Sequence, residues 1–274
     1  MIKNSVRAIL GARNYDKLRT AIGGGFPDKI KPVLASQVYP LYLPLETDNE
    51  IGWKPYDIFF GPTSTLDSLS CPASTLISGH SPHPPHKHKE EEILLLLRGE
   101  VDVILPEEQS LGKDQKKRLK TNHLVYYPSY FSHTLQAVSP EPANYLMLKW
   151  SGSSHFKKNP QLKFGCLNLS DFFDNIKIKK RLNLNVVFEG NTEYLEKFQC
   201  HVSILKPKTG YSPHVDSYDV AIILLEGEVE TLGTRAKPHS IIFYEAGEPH
   251  GMFNPGESVA KYVVFEFHGK RNLV

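Results

Sequence analysis

Cysteine is scarce: Cys71, Cys166 and Cys200 are the only three in 274 residues. An odd count this low excludes a disulfide framework. The expectation is reduced thiols, with Cys71 and Cys200 buried as small core residues. An excess of one charge is also missing. Lys+Arg is 32 against Asp+Glu 30, a net charge of +2, far from the basic excess of a nucleic-acid-binding surface. The runs Lys116-Lys117-Arg118 and Lys179-Lys180-Arg181 therefore read as solvated loop charge. No run of 18 apolar residues occurs, so no membrane-spanning helix is expected. Lys3, Arg7, Arg13 and Asp16 break up any signal-peptide-like apolar stretch, and a cytoplasmic location is the expectation.

Hydrophobic residues make up 40% and charged residues 23%, as in a folded globular chain. Short runs rich in β-branched and aromatic residues dominate, at 93–97, 101–105, 124–127, 145–150, 221–225, 240–244 and 262–267. Gly, Pro, Asn and Ser clusters separate them, which predicts many short strands closed into a sandwich or barrel. Helix signals are confined to residues 14–22, ahead of three glycines, and to 170–176.

The chain repeats itself. Leu96-Leu97-Arg98-Gly99-Glu100-Val101 returns as Leu224-Leu225-Glu226-Gly227-Glu228-Val229, and the frame of Cys71, Ser74 and Leu76 returns as Cys200, Ser203 and Leu205. Farther on, His133 returns as His250, and Tyr145 to Gly152 as Tyr262 to Gly269, at a shorter offset. The polar segment 107–118 is the expected insertion, a solvated loop. A repeat of this length predicts two copies of one fold. The domain plan is an N-terminal extension over 1–50 packed on the barrels, a first barrel over 51–157, a connector over 158–185 and a second barrel over 186–274.

The first copy carries a histidine-rich run, His80, His83, His86 and His88, followed by Glu90, Glu91 and Glu92. On a strand, side chains two apart share a face, so His86, His88 and Glu92 can converge. Glu90 shares that parity and Glu91 opposes it. The run 93–97 is apolar on both parities, so the strand runs through a core. Ionisable groups there need compensation, and a divalent metal supplies it. A second motif, from Asn122 through Pro128 and Tyr130 to His133, adds an imidazole.

These two motifs resemble the paired signature of the cupin superfamily: Gly, His-x-His, Glu and Gly, then Gly, Pro-x-Gly and His. Tyr130 and Asn122 stand where the family pattern has glycines. The resemblance spans roughly residues 55–270. It implies an all-β chain of two cupin-type double-stranded β-helix (jelly-roll) barrels, and a metal held by His86, His88, Glu92 and His133. Iron is favoured, with manganese, nickel, cobalt, copper and zinc all compatible with the donors. His80 and His83 are expected to line the mouth.

In the second copy, the Gly99–Gly227 register sets His214 on His86, Asp216 on His88 and Val220 on Glu92, while His250 matches His133. A rival register, from Gly-x-Ser-Pro-His at 79–83 and 210–214, sets His214 on His83. His214, Asp216 and His250 make a two-histidine, one-carboxylate set suited to Fe(II), or a remnant in a scaffolding barrel. Their order is similar to that of iron- and 2-oxoglutarate-dependent oxygenases, with Lys261 ten residues beyond His250 as the basic partner. Asp219 is a substitute ligand.

The resemblance implies a metal-dependent bicupin enzyme acting on a small polar or carboxylated molecule, leaning to O2-dependent dioxygenase chemistry. A non-redox isomerase, cyclase or lyase is the alternative, and a non-catalytic ligand- or sugar-binding cupin is another. Tyr127, Tyr130 and His83 are the candidate acid–base groups. The expected partner is a small-molecule substrate, without nucleic acid or membrane, and a homodimer is compatible with the sequence.

Overall fold

The computed structural model describes residues 33–41, 52–105, 116–153 and 159–270. The helix expected at 14–22 lies outside them. The short extension strand is β1 (Gln37–Tyr39). In the first copy the strands are β2 (Trp53–Gly61), β3 (Ser68–Leu76), β4 (Glu91–Arg98), β5 (Val101–Ile104), β6 (Lys116–Leu119), β7 (His123–Tyr127), β8 (Thr134–Ala137) and β9 (Ala143–Ser151). After β10 (Gly165–Asn168) and helix α1 (Leu169–Asp174), the second copy runs β11 (Leu182–Gly190), β12 (Lys197–Leu205), β13 (Gly210–His214), β14 (Asp219–Glu226), β15 (Val229–Thr231), β16 (Thr234–Ala236), β17 (Ile241–Tyr244), β18 (His250–Phe253) and β19 (Ala260–His268). Among the described residues no helix is long and apolar enough to cross a membrane.

Each copy pairs a six-stranded sheet with a smaller one. The first has the orders β10-β7-β4-β9-β3-β2 and β6-β5-β8; the second has β1-β17-β14-β19-β12-β11 and β13-β18-β15-β16. One edge strand of each large sheet comes from outside the repeats: β10 pairs with β7, and β1 with β17. Three segments in and around the repeats carry strands or a helix of their own. The segment 107–118 is not all solvated loop, because Lys116 onward pairs with β5. The stretch 158–185 supplies β10, α1 and the start of β11. Part of the N-terminal extension adds a strand to the second barrel's sheet.

Alternation on the central strands sorts side chains into three cores. Leu94, Leu96, Val125, Tyr127 and Tyr145 fill the inside of barrel 1. Val220, Ile222, Leu224, Tyr244 and Tyr262 fill barrel 2. The opposite parity, including Ile93, Leu95, Leu148 and Trp150 from one copy and Cys200, Ile223, Val263 and Phe265 from the other, joins a single cluster between the large sheets. Cys71 and Cys200 both lie in it, free and buried.

Positive φ angles repeat with the fold. Gly99 and Gly227 sit at +77° and +76°. A Cβ there would fall 2.9 Å from the Ala143 Cα and 2.4 Å from the Val259 carbonyl oxygen, so glycine is required by both conformation and space. Asn122 and Tyr130 adopt +67° and +57°, as do His239 and Gly247 at +70° and +93°. The two non-glycine residues of the second motif therefore hold the left-handed turns that glycine would normally supply.

Candidate metal centre

In barrel 1, His86 and His133 pair across an isolated antiparallel bridge, with backbone bonds in both directions. His88 follows two residues later on the same face. One donor atom from each imidazole lies within 4.8 Å of the other two. Two of the rings are aimed by their rear nitrogens. His88 Nδ1 meets the Glu90 carbonyl at 3.0 Å and His133 Nδ1 meets the Phe131 carbonyl at 2.9 Å. This leaves both Nε2 atoms facing inward, the usual way a backbone carbonyl sets a ligating histidine. The Tyr127 ring stacks on His133 at 4.0 Å. His86 Nδ1 is buried, with no hydrogen-bond partner among the described residues.

Glu92 closes the group at the first residues of β4. Its Oε2 lies 3.2 Å from His88 Nε2 and 3.8 Å from His133 Nε2. The same oxygen carries Lys149 Nζ at 3.0 Å. Burial alone would raise this carboxyl, but the Lys149 ammonium and the His88 hydrogen bond hold it down at about 2. Burial, with His83 next, pushes His86 down to about 4, and burial also lowers His133. The neutral imidazole is the form that binds metal. Three imidazole nitrogens within 4.8 Å of one another, with an ionised Glu92 oxygen beside two of them, fit a divalent transition ion.

His83 stacks edge-on against His86 at 3.9 Å, and its Nδ1 contacts the Pro84 carbonyl. His80 Nδ1 contacts the Ser78 carbonyl at 3.1 Å. Tyr127 is fully buried, its hydroxyl has no partner among the described residues, and burial drives its pKa well up. Tyr130 is 57% exposed, and its backbone N–H donates to the His88 carbonyl. Glu90 stays behind His88, with Oε2 3.5 Å from its Nδ1. The sequence reading missed Lys149. Its signal was the parity of β9, where Tyr145, Met147 and Lys149 alternate with the outward Leu146, Leu148 and Trp150.

Barrel 2 repeats the arrangement with altered chemistry. His214 pairs with His250 in the β13–β18 ladder, as His86 pairs with His133. This pairing supports the glycine-anchored register over the rival that sets His214 on His83. His250 Nδ1 meets the Glu248 carbonyl at 2.9 Å, and the Tyr244 ring stacks on His250 at 4.0 Å. Asp216 Oδ2 lies 3.5 Å from His214 Nε2 and 3.4 Å from His250 Nε2. Burial lowers His250. The three donors again lie within 4.8 Å of one another.

Two second-copy candidates fall away. Lys261 pairs with Glu226 at 3.0 Å and lies over the Phe173 ring, on the strand face opposite Tyr262 and Val264, which point into the barrel. It is not a basic partner for a ligand there. Asp219 does not face the histidines either. Its carboxylate accepts from Thr63 and Thr65 hydroxyls at 2.5 Å and from the Ala246 N–H at 2.9 Å.

Asp219 is the repeat equivalent of Glu91, and the two form reciprocal clamps. Glu91, fully buried and turned away from Glu92, accepts from Tyr126, Trp150, the Thr192 hydroxyl and the Glu193 N–H at 2.6–3.0 Å. Each copy therefore buries a carboxylate capped by a threonine loop of the other. Burial pushes both carboxyls up, against the pull of their donors.

No family model and no curated protein matches the chain. Solved structures do. A putative glyoxylate-induced protein from Pseudomonas aeruginosa aligns with a TM-score of 0.64 and 12% identity over 92% of this chain and 96% of its own. The oxalate decarboxylase of Lactobacillus farciminis, in a formate complex, gives 0.60 and 11% over 88% and 90%. A cupin 2 conserved barrel domain protein from Leptotrichia buccalis gives 0.55 and 12% over 81% and 92%. At these identities the likeness is one of fold. The chain thus shares the jelly-roll barrel fold of the cupin structures it is similar to, with two such barrels in one chain.

Proposed function

We propose that the chain is a metal-dependent cupin enzyme acting on a small carboxylated molecule, with its working centre in barrel 1. His86, His88, Glu92 and His133 are the proposed ligands. The observation that carries this reading is the convergence of three imidazoles on one spot beside a carboxylate held ionised. A bound divalent ion supplies Lewis acidity and a template for substrate oxygens. The chain's own residues do the rest. Backbone carbonyls fix the His88 and His133 rings, Tyr127 braces His133 from behind, and His83 and Trp53 wall the approach to His86. In barrel 2, His214, Asp216 and His250 are proposed to hold a second ion more weakly, since Val220 stands where barrel 1 has Glu92.

The reaction class proposed is O2-dependent dioxygenation, with iron as the working ion. Among structural neighbours, the Bacillus subtilis oxalate decarboxylase has Mn(II) centres, so manganese is the alternative. The test is metal analysis of protein purified without added metal, followed by oxygen uptake with catechols, β-diketones and 2-oxoacids. Oxygen consumption with one of these classes supports the dioxygenase. Turnover of a carboxylated compound without oxygen uptake assigns a lyase or isomerase instead.

A further inference from the structure

One ladder position separates the two barrels chemically. Lys149 faces Glu92 directly across the β9–β4 pairing. Its repeat equivalent is Glu266, which faces Val220 across β19–β14. The carboxylate and the adjoining charge have thus been exchanged: barrel 1 has Glu92 with an ammonium beside it, and barrel 2 has a carboxylate where that ammonium would be. Glu266 is committed within its own barrel, between His201 Nε2 at 3.5 Å and His268 Nε2 at 3.0 Å.

Lys149 is not a surface lysine. It projects on the inward parity of β9, and its side chain is 24% exposed. An ammonium in such a place is costly unless paired. Glu92 supplies the pair, but Glu92 has only one charge, which a bound dication would also claim. With the ion in place, one carboxylate faces a dication and an ammonium, and the site has positive charge to spare. A long flexible stem lets a lysine ammonium turn from one carboxylate to another.

We infer that Lys149 is the specificity residue of barrel 1. It pairs with the carboxylate of the bound small molecule and makes the site selective for carboxylate anions over neutral isosteres. The inference rests on the reading of barrel 1 as a metal centre. It also distinguishes the barrels, because Glu266 at the same position disfavours an anion in barrel 2.

The experiment loads wild type, Lys149→Met and Lys149→Arg with Co(II) and measures bound metal first. Pyruvate and its neutral isostere pyruvamide are then titrated by calorimetry. All three proteins should take up the ion, since Lys149 is not a ligand. Pyruvate affinity should fall roughly ten- to a hundredfold in Lys149→Met, the loss of one charge-assisted hydrogen bond. Lys149→Arg should keep it within about threefold, and pyruvamide should bind all three alike. Unchanged pyruvate affinity in metal-loaded Lys149→Met overturns the role of Lys149 and leaves the metal centre standing. Equal binding of pyruvate and pyruvamide by wild type overturns it without any variant. Failure of wild type to take up metal overturns the centre and this inference with it.

Discussion

Thr192→Val should destabilise the protein through a contact that involves none of the proposed ligands. The substitution keeps the shape of the side chain and removes its hydroxyl. That hydroxyl donates to Glu91 Oε2 at 2.6 Å and accepts from the Tyr194 and Leu195 N–H groups at 3.3 and 3.1 Å. A hydrogen bond to a buried charge is worth about 1.5–3 kcal/mol. Two backbone donors also lose an acceptor, so a loss of about 2–4 kcal/mol is expected. Equilibrium urea unfolding reads it as a lower midpoint at unchanged slope. Thr63→Val should cost a similar amount, because its hydroxyl holds Asp219 at 2.5 Å and accepts from Thr65 and Leu66 N–H groups. In a double-mutant cycle, Thr192→Val and Glu91→Gln should couple by about 1–2 kcal/mol. A loss under about 0.5 kcal/mol for both threonine variants, with no coupling, would refute the clamp as a stabilising contact.

Asp216→Ala should abolish the weaker of two metal-binding classes in a titration of metal-free protein and leave the tighter one intact; a single class unaffected by the change assigns barrel 2 to scaffolding. Glu266→Gln should flatten the acid limb of stability. His201 and His268 outweigh burial and hold the Glu266 carboxyl near 2, below its ordinary value of about 4.3. A depressed carboxyl stabilises above its unfolded pKa and loses that contribution as pH falls through the folded one. Wild type should therefore lose stability between about pH 4.5 and 2 more steeply than Glu266→Gln, and parallel acid curves by circular dichroism contradict this.

Much of the architecture was legible because the repeat is written in residues with fixed conformational duties. Gly99 and Gly227 make the same turn from the large sheet into the small one, and Cys71 and Cys200 occupy the same core position. The run His86, His88, Glu92 converges because strand parity is a local rule. The partners that come from other strands were not legible. Lys149 meets Glu92 only through the β4–β9 register, and a single sequence does not say which strands are neighbours. The same holds for Glu91 and Asp219: parity turned Glu91 outward, but nothing local named Thr192 or Thr63, about a hundred residues or more away. Lys261 had a suggestive spacing after His250, yet its parity on β19 sends it to the other face.

The central claim is a metal centre in barrel 1. It is tested most directly by equilibrium dialysis of metal-free wild type and His88→Ala against Co(II), with circular dichroism confirming that both are folded. The account predicts that wild type takes up a tightly held ion in barrel 1, at stoichiometry near one per chain. His88→Ala should lose at least tenfold in affinity for that ion, as removal of a direct ligand should cost no less than the 10–100-fold seen for outer-shell partners. A folded His88→Ala protein that binds the ion as tightly as wild type would contradict the claim.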